Sequence, residues 1–253
     1  LRNGTTTRAI MSSDAEPLQA SLTSLAERIT AAARRAGRDP AAITLVAVSK
    51  TFPAADVIAA ARAGQRHFGE NYVQEALPKM AAVRAAVPQL PLVWHFIGPI
   101  QSNKTRAIAE HFDWVQSVDR LKIAQRLSAQ RPAGAPPLNV LLQVNISGEA
   151  SKSGVAPADV PALAHAVAAL PNLRLRGLMA IPEPQDDPAR QQQPLAALRR
   201  LFEAQRAAAG SDWDTLSMGM SGDLEAAIAE GSTMVRVGTA LFGARAAKAK
   251  EMA

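Results

Sequence analysis

Leu18, Leu22, Leu25 and Ile29 recur at helical spacing, and Gly37 follows them as a stop. Beyond that point, apolar runs of strand length alternate with helical patterns. The first run, residues 43–50, is rich in β-branched residues and reads as a buried strand ending at Lys50. A helix through Val57, Ile58 and Ala61 runs to Gly64. Further strands are predicted over 67–70, 92–97, 113–117, 138–146, 173–181, 215–218 and 233–237. Helices fill the intervals: one from near Asn71, one opened by Gln101-Ser102-Asn103-Lys104 with Ser102 or Asn103 as cap, and one capped by Asp119. Three more cover 157–170, the stretch after the polar loop 182–188 to near Gly210, and 223–230.

Eight strands with seven intervening helices is the count of a (β/α)8 barrel, with the N-terminal helix as an added element. An open doubly wound sheet has the same periodicity and stays as the alternative. Residues 18–246 read as one unit, with no linker or compositional shift to divide them. Residues 1–17 show no periodicity and are expected to form a disordered leader, with Met11 as a candidate natural start; 247–253 form a tail.

Composition narrows the picture. The chain has 253 residues, 48% of them apolar but only 4% aromatic, so the core must be built from Ala, Leu and Val. There are no cysteines, which excludes disulfides and thiolate metal sites and fits a reducing, cytoplasmic setting. No apolar stretch approaches the roughly 18 residues that span a membrane. The net charge of +6 comes from basic residues scattered among acids, so charge alone argues weakly for nucleic acid.

In a barrel, ligands sit at the carboxyl ends of the strands. There the pattern places Lys50, Glu70-Asn71, Ile97-Gly98, Ser117, Asn145, Met179, Ser217 to Ser221, and Arg236-Val237-Gly238-Thr239. An amine on a rigid strand end, partly desolvated, can lose its proton and attack a carbonyl. Ser221-Gly222-Asp223 and Gly238-Thr239 offer backbone N–H groups and hydroxyls where a phosphate cradle is expected, after strands seven and eight. The alternative for Ser221 or Asp223 is a plain helix cap. Arg236 shares the inward side with Gly238 and must find a phosphate, a ring nitrogen or a barrel carboxylate. Asn71 either contacts a ligand or caps the next helix. Met179 either packs on an aromatic ring or belongs to the core. His95 reads as a satisfied core histidine, and four scattered histidines make no metal site. A lysine on the first strand with a phosphate cradle after the last points to pyridoxal 5′-phosphate (PLP). Two other readings use the same lysine: a PLP-dependent racemase or lyase, and a cofactor-free Schiff-base aldolase.

The motifs Val46-Ala47-Val48-Ser49-Lys50, His67-Phe68-Gly69-Glu70-Asn71-Tyr72-Val73-Gln74-Glu75, His95-Phe96-Ile97-Gly98-Pro99-Ile100-Gln101-Ser102-Asn103-Lys104, Leu216-Ser217-Met218-Gly219-Met220-Ser221 and Val235-Arg236-Val237-Gly238-Thr239 resemble the pyridoxal phosphate homeostasis proteins. These are small PLP-binding barrels related to the N-terminal domain of alanine racemase. The resemblance covers 18–243 in order. It implies a PLP Schiff base on Lys50 and phosphate contacts from Ser217 or Ser221, Gly238 and Thr239. It places Arg236 at the pyridine nitrogen, Met179 against the ring and Asn71 near its edge. It further implies a monomeric carrier that holds PLP and delivers it to PLP-dependent apoenzymes, affects amino- and keto-acid balance, and has no strong catalytic activity. Related racemases draw a second base, a tyrosine, from a C-terminal β domain and a partner subunit. This sequence runs about ten residues past Gly243 and has Tyr72 as its one tyrosine, so slow racemisation at most is expected.

Overall fold

A computed structural model describes residues 15–148, 153–185 and 187–243. Eight parallel strands close into a barrel in sequence order: β1 (Thr44–Val48), β2 (His67–Glu70), β3 (Val93–Phe96), β4 (Trp114–Val118), β5 (Leu138–Gln143), β6 (Leu173–Met179), β7 (Thr215–Ser217) and β8 (Met234–Val237). Closure is made by β8 against β1, with Val46 opposite Arg236 and Ala47 opposite Val237. That seam decides for the barrel over the open sheet. Helices α2 (Ala54–Arg62), α3 (Val73–Ala86), α4 (Thr105–His111), α5 (Leu121–Gln130), α6 (Val160–Ala168), α7 (Pro188–Ala209) and α8 (Leu224–Ala229) connect successive strands, and a short α9 (Thr239–Phe242) follows β8.

The two-residue period of the strands divides the core in two. Residues facing out, such as Ala47, Phe68, Val115, Val140, Leu178 and Val235, are buried under the helices. Val46, Trp114, Leu141, Met179 and Met234 form a separate cluster inside the barrel. The amino-terminal end of the barrel is plugged by Arg176, whose guanidinium lies 4.8 Å over the Trp114 ring and donates to Asp214 at 2.6 Å and Asn139 Oδ1 at 3.0 Å. Chemistry is thereby left to the opposite mouth.

The N-terminal helix α1 (Ala15–Arg35) buries Leu18, Leu22, Leu25 and Ile29 and packs against α2, α8 and α9, the helices flanking the β1–β8 seam. It begins three residues before the apolar stripe, taking in Ala15 to Pro17 from the expected leader. The rest of that leader and the tail fall outside the described residues.

Several local expectations change. Strand β1 stops at Val48 rather than Lys50, because Thr51 turns left-handed with φ of 68°. Asp119 caps no helix; its carboxylate pairs with the neighbouring Arg120 at 2.7 Å. Ser102 and Asn103 lie in a 3-10 turn before α4, where Thr105 Oγ1 donates to the Ser102 carbonyl at 2.9 Å.

Candidate functional site

Because β1 and β8 are neighbours, Lys50 and the Gly238-Thr239 turn meet at one side of the barrel mouth. Val46 faces the interior, the two-residue period gives Val48 the same side, and Lys50 follows in the turn just past the strand end. Lys50 is partly exposed there. A Cβ on Gly238 would come within 3.2 Å of the Val48 carbonyl, a tight contact that glycine avoids where the two strand ends meet. Thr239 is exposed beside it, and Ser221 is partly exposed on the loop after β7.

That loop is braced from two directions. Asp223 accepts from the Met220 N–H at 2.5 Å, a bond within the turn and not a cap on α8. From outside, Arg28 of α1 donates to the Ser221 carbonyl at 3.3 Å and grips both oxygens of Glu225, at 2.9 and 3.1 Å. The contact holds Arg28 above its ordinary pKa through the Glu225 hydrogen bond.

Arg236 is 4% exposed and points into the barrel. It donates to Ser217 Oγ at 2.6 Å and to the Ala180 carbonyl at 2.8 Å, both neutral acceptors. Among the described residues it has no carboxylate in hydrogen-bond contact. Burial pulls its pKa down to about 10, against the opposing field of Asp223. A buried cation with spare N–H donors and only neutral partners is a costly arrangement unless something else arrives to meet it.

Ser217 is wholly buried under Arg236, and its hydroxyl is engaged on both sides: it accepts from Arg236 and donates to Gln116 Oε1 at 2.7 Å. Its expected place in the phosphate cradle is thus filled by a supporting bond, which leaves Ser221 as the hydroxyl at the mouth. The chain of bonds continues inward. The amide of Gln116 donates to His95 Nδ1 at 2.9 Å, and His95 Nε2 meets His67 Nδ1 at 3.0 Å. An amide NH2 only donates, so His95 Nδ1 accepts and its Nε2–H is given to His67. Burial, reinforced by His67, pushes His95 well below the ordinary histidine pKa, and His67 is lowered by burial against Asp113. His95 is thus the satisfied core histidine its strand suggested.

Asn71 precedes the first residue of α3 by two positions, and Tyr72 occupies the cap position, so Asn71 does not cap that helix. Its Oδ1 is buried without a hydrogen-bond partner. Gly98 passes so close to the Asn71 backbone that any Cβ there would collide with its carbonyl. Met179, fully buried, floors the mouth from β6. No group of three His, Asp or Glu among the described residues is arranged to hold a metal, and no described helix is long and apolar enough to cross a membrane.

The sequence reading put Glu70 among the strand tips but missed its partner. Glu70 and Lys79, both buried, form an ion pair at 2.7 Å immediately behind Ser49. Glu70 ends a strand and carried a signal, a carboxylate beside Asn71 in an apolar run. Lys79 on a helix carried none.

Comparison with known proteins places this architecture. The alanine racemase N-terminal domain model matches residues 20–246. The pyridoxal phosphate homeostasis protein of Pseudomonas aeruginosa is 68% identical over 221 residues, covering 87% of this chain and 93% of that protein. Its Escherichia coli K12 counterpart is 56% identical over 224 residues, covering 88% and 95%. Among solved structures, PipY of Synechococcus elongatus with PLP bound aligns with a TM-score of 0.76 at 39% identity, over 89% of this chain and all of that one. Alanine racemase from Corynebacterium glutamicum shares the barrel fold, with a TM-score of 0.66 at 18% identity, over 91% of this chain and 62% of that one. On barrel, motifs and relatives together, the chain belongs to the pyridoxal phosphate homeostasis protein family, built on the alanine racemase N-terminal barrel.

Proposed function

We propose that this protein binds PLP at the barrel mouth through Lys50 and serves intracellular PLP homeostasis, holding the cofactor and handing it to PLP-dependent apoenzymes in the cytoplasm. The observation that carries the reading is Arg236: a guanidinium 4% exposed, without a carboxylate contact among the described residues, aimed at the same mouth as Lys50. The residues fit the ligand. A pyridine nitrogen offers Arg236 a further acceptor, Gly238, Thr239 and Ser221 are at least partly exposed after β7 and β8 and offer N–H groups and hydroxyls to an anion, and Asn71 has a buried polar atom without a partner. Met179 supplies an apolar floor for the ring. When bound, PLP supplies an aldehyde that a lysine amine can hold reversibly.

Within that site Lys50 provides the amine, and Arg236 stays protonated and orients the ring by hydrogen bonding. The Gly238 turn and the Ser221 loop hold the phosphate by charge-assisted hydrogen bonds, each contributing roughly 1.5–3 kcal/mol. A racemase needs an acid/base on both faces of the substrate carbon. His95 is unavailable, since both ring nitrogens are bonded inside the barrel, and Tyr72 follows Asn71 on the outward side, 50% exposed. A carrier without efficient turnover follows from that arrangement.

The test is the absorption spectrum of the purified protein with PLP, before and after borohydride, followed by peptide mapping. The pyridoxyl group is expected on Lys50, and Lys50→Ala is expected to lose the covalent link while retaining weaker, phosphate-driven binding. Labelling centred on Lys104 instead, or racemisation of alanine at the roughly 1–10³ s⁻¹ typical of enzymes, would overturn the proposal.

A further inference from the structure

Behind Lys50 lies a charged network that the proposed site does not itself use. Glu70, the last residue of β2, is 0% exposed, and Lys79 of α3 is 8% exposed. Lys79 Nζ donates to Glu70 Oε1 at 2.7 Å and to the Ser49 carbonyl at 2.8 Å. Ser49, itself 0% exposed, donates its hydroxyl to the same Glu70 oxygen at 2.7 Å. Glu70 Oε2 is buried with no hydrogen-bond partner.

Stability does not account for this arrangement. Two charges have been taken out of water, one carboxylate oxygen is left unsatisfied, and a packed apolar pair of the same volume commonly serves a core as well or better. What the network does is hold one peptide group. The Ser49 carbonyl belongs to the peptide bond whose nitrogen is that of Lys50. It accepts from Lys79 and, across the following turn, from the Phe52 N–H at 3.1 Å. On the other side of Lys50, Thr51 has φ of 68°, a left-handed conformation that a β-branched residue adopts only when its surroundings impose it. Phe52, next in sequence, is fixed by ring contact with Phe242 at 4.9 Å. Lys50 is therefore set between an anchored peptide and a strained one.

We infer that Lys79, acting through Glu70 and Ser49, is the positioning residue of Lys50: it sets where the amine nitrogen stands relative to an aldehyde held at the mouth. The inference rests on the reading of Lys50 as the PLP attachment point. In the attachment, the neutral amine nitrogen bonds the aldehyde carbon, and the aldehyde oxygen leaves as water with both amine hydrogens. The step depends on the line of approach, so a displacement of about 1 Å can cost up to about a hundredfold in rate. The phosphate is gripped from β7 and β8, on the other side of the seam, and its binding does not pass through this network.

The experiment compares PLP with pyridoxine 5′-phosphate, which has the same phosphate and ring but an alcohol in place of the aldehyde. Lys79→Met and Ser49→Ala are made, and their melting curves establish folding. In Lys79→Met, PLP attachment followed by stopped-flow absorbance should slow by about tenfold or more, and in Ser49→Ala by about threefold. The dissociation constant for pyridoxine 5′-phosphate should stay within about twofold in both, as a positioning role requires and a general scaffold role does not. Attachment at the wild-type rate in a folded variant would overturn the inference, as would a parallel fall in pyridoxine 5′-phosphate affinity. If Lys79→Met does not fold, Ser49→Ala decides on the same two readings. Failure of the underlying reading shows separately, as wild-type protein that yields no borohydride-trapped label on Lys50, and it takes this inference down with it.

Discussion

His95 makes the stability of this barrel depend on pH with a sign fixed by its surroundings. The ring is fully buried and stacked 5.4 Å from Trp114, with Gln116 donating to one nitrogen and His67 taking the proton of the other. Among the described residues no carboxylate is bonded to it, and its titrating neighbour His67 opposes a positive charge. The folded pKa therefore lies well below 6.5, the value expected in the unfolded chain. Below pH 6.5 the unfolded state takes up a proton that the folded state refuses, so stability falls as pH falls. Between pH 7.5 and 5.5 this single group accounts for up to about 1.4 kcal/mol. His67, lowered in the same direction, adds a smaller contribution. Glu225 is lowered by its Arg28 bond and loses its contribution only below the ordinary carboxylate range of 4.5, outside this window. His95→Gln removes the titrating ring while keeping an amide that can accept from Gln116 and donate to His67. Urea unfolding of ligand-free wild-type and variant protein at pH 7.5, 6.5 and 5.5 should show the variant losing less over the range, by up to about 1.4 kcal/mol, with m-values matched. Equal losses in the two proteins would refute the reasoning, because they would mean that His95 is protonated inside the folded barrel and that the bond direction assigned to the interior chain is wrong.

Two further outcomes follow from the same geometry. Arg236→Met replaces a buried cation that has only neutral contacts with an apolar side chain, so chemical denaturation of the ligand-free protein should show no loss beyond about 1 kcal/mol, while PLP titration should show affinity down by at least about tenfold; a large loss of stability with intact affinity would reverse the assignment. Arg28→Met removes a contact that is about one-third exposed, worth only a few tenths of a kcal/mol to folding, yet it takes the outer brace from the Ser221 loop, so affinity for pyridoxine 5′-phosphate should weaken by about threefold; an unchanged titration would mean that the Asp223 turn alone fixes the loop.

The alternation of strands and helices was legible because apolar runs at period two and stripes at period 3.6 are set by what each element buries. Closure was not, since each strand of a doubly wound sheet buries the same residues. It became visible only in the pairing of Val46 with Arg236. Element ends were the least legible part. An apolar run reports burial, not ladder hydrogen bonds, so the run through Lys50 overshot a strand that ends where Thr51 turns left-handed. Of the caps the sequence offered, Asp119 failed because its carboxylate bonds the adjacent Arg120, Ser102 lies inside a 3-10 turn, and Asn71 sits one residue before the cap position.

At the site, strand parity identified which residues face inward but not how deep they lie. Arg236, Met179 and Ser217 all face the interior, yet Ser217 sits a layer below the mouth, where its hydroxyl supports Arg236 instead of an anion. Lys79 was illegible because lysines on helices are ordinarily solvated, and only the seating of α3 against the ends of β1 and β2 buries it. The two halves of the candidate site, an amine after the first strand and an anion loop after the last, lie some 190 residues apart in the chain. They become one site because β8 pairs with β1 and the absence of a side chain at Gly238 lets it pass against Val48. A bulkier residue at Gly238 would therefore do more than crowd a phosphate. It would press on the Val48 carbonyl and shift it by a few tenths of an ångström, at the seam where the amine and the anion loop converge, so the same glycine answers to the packing of the barrel and to the chemistry at its mouth.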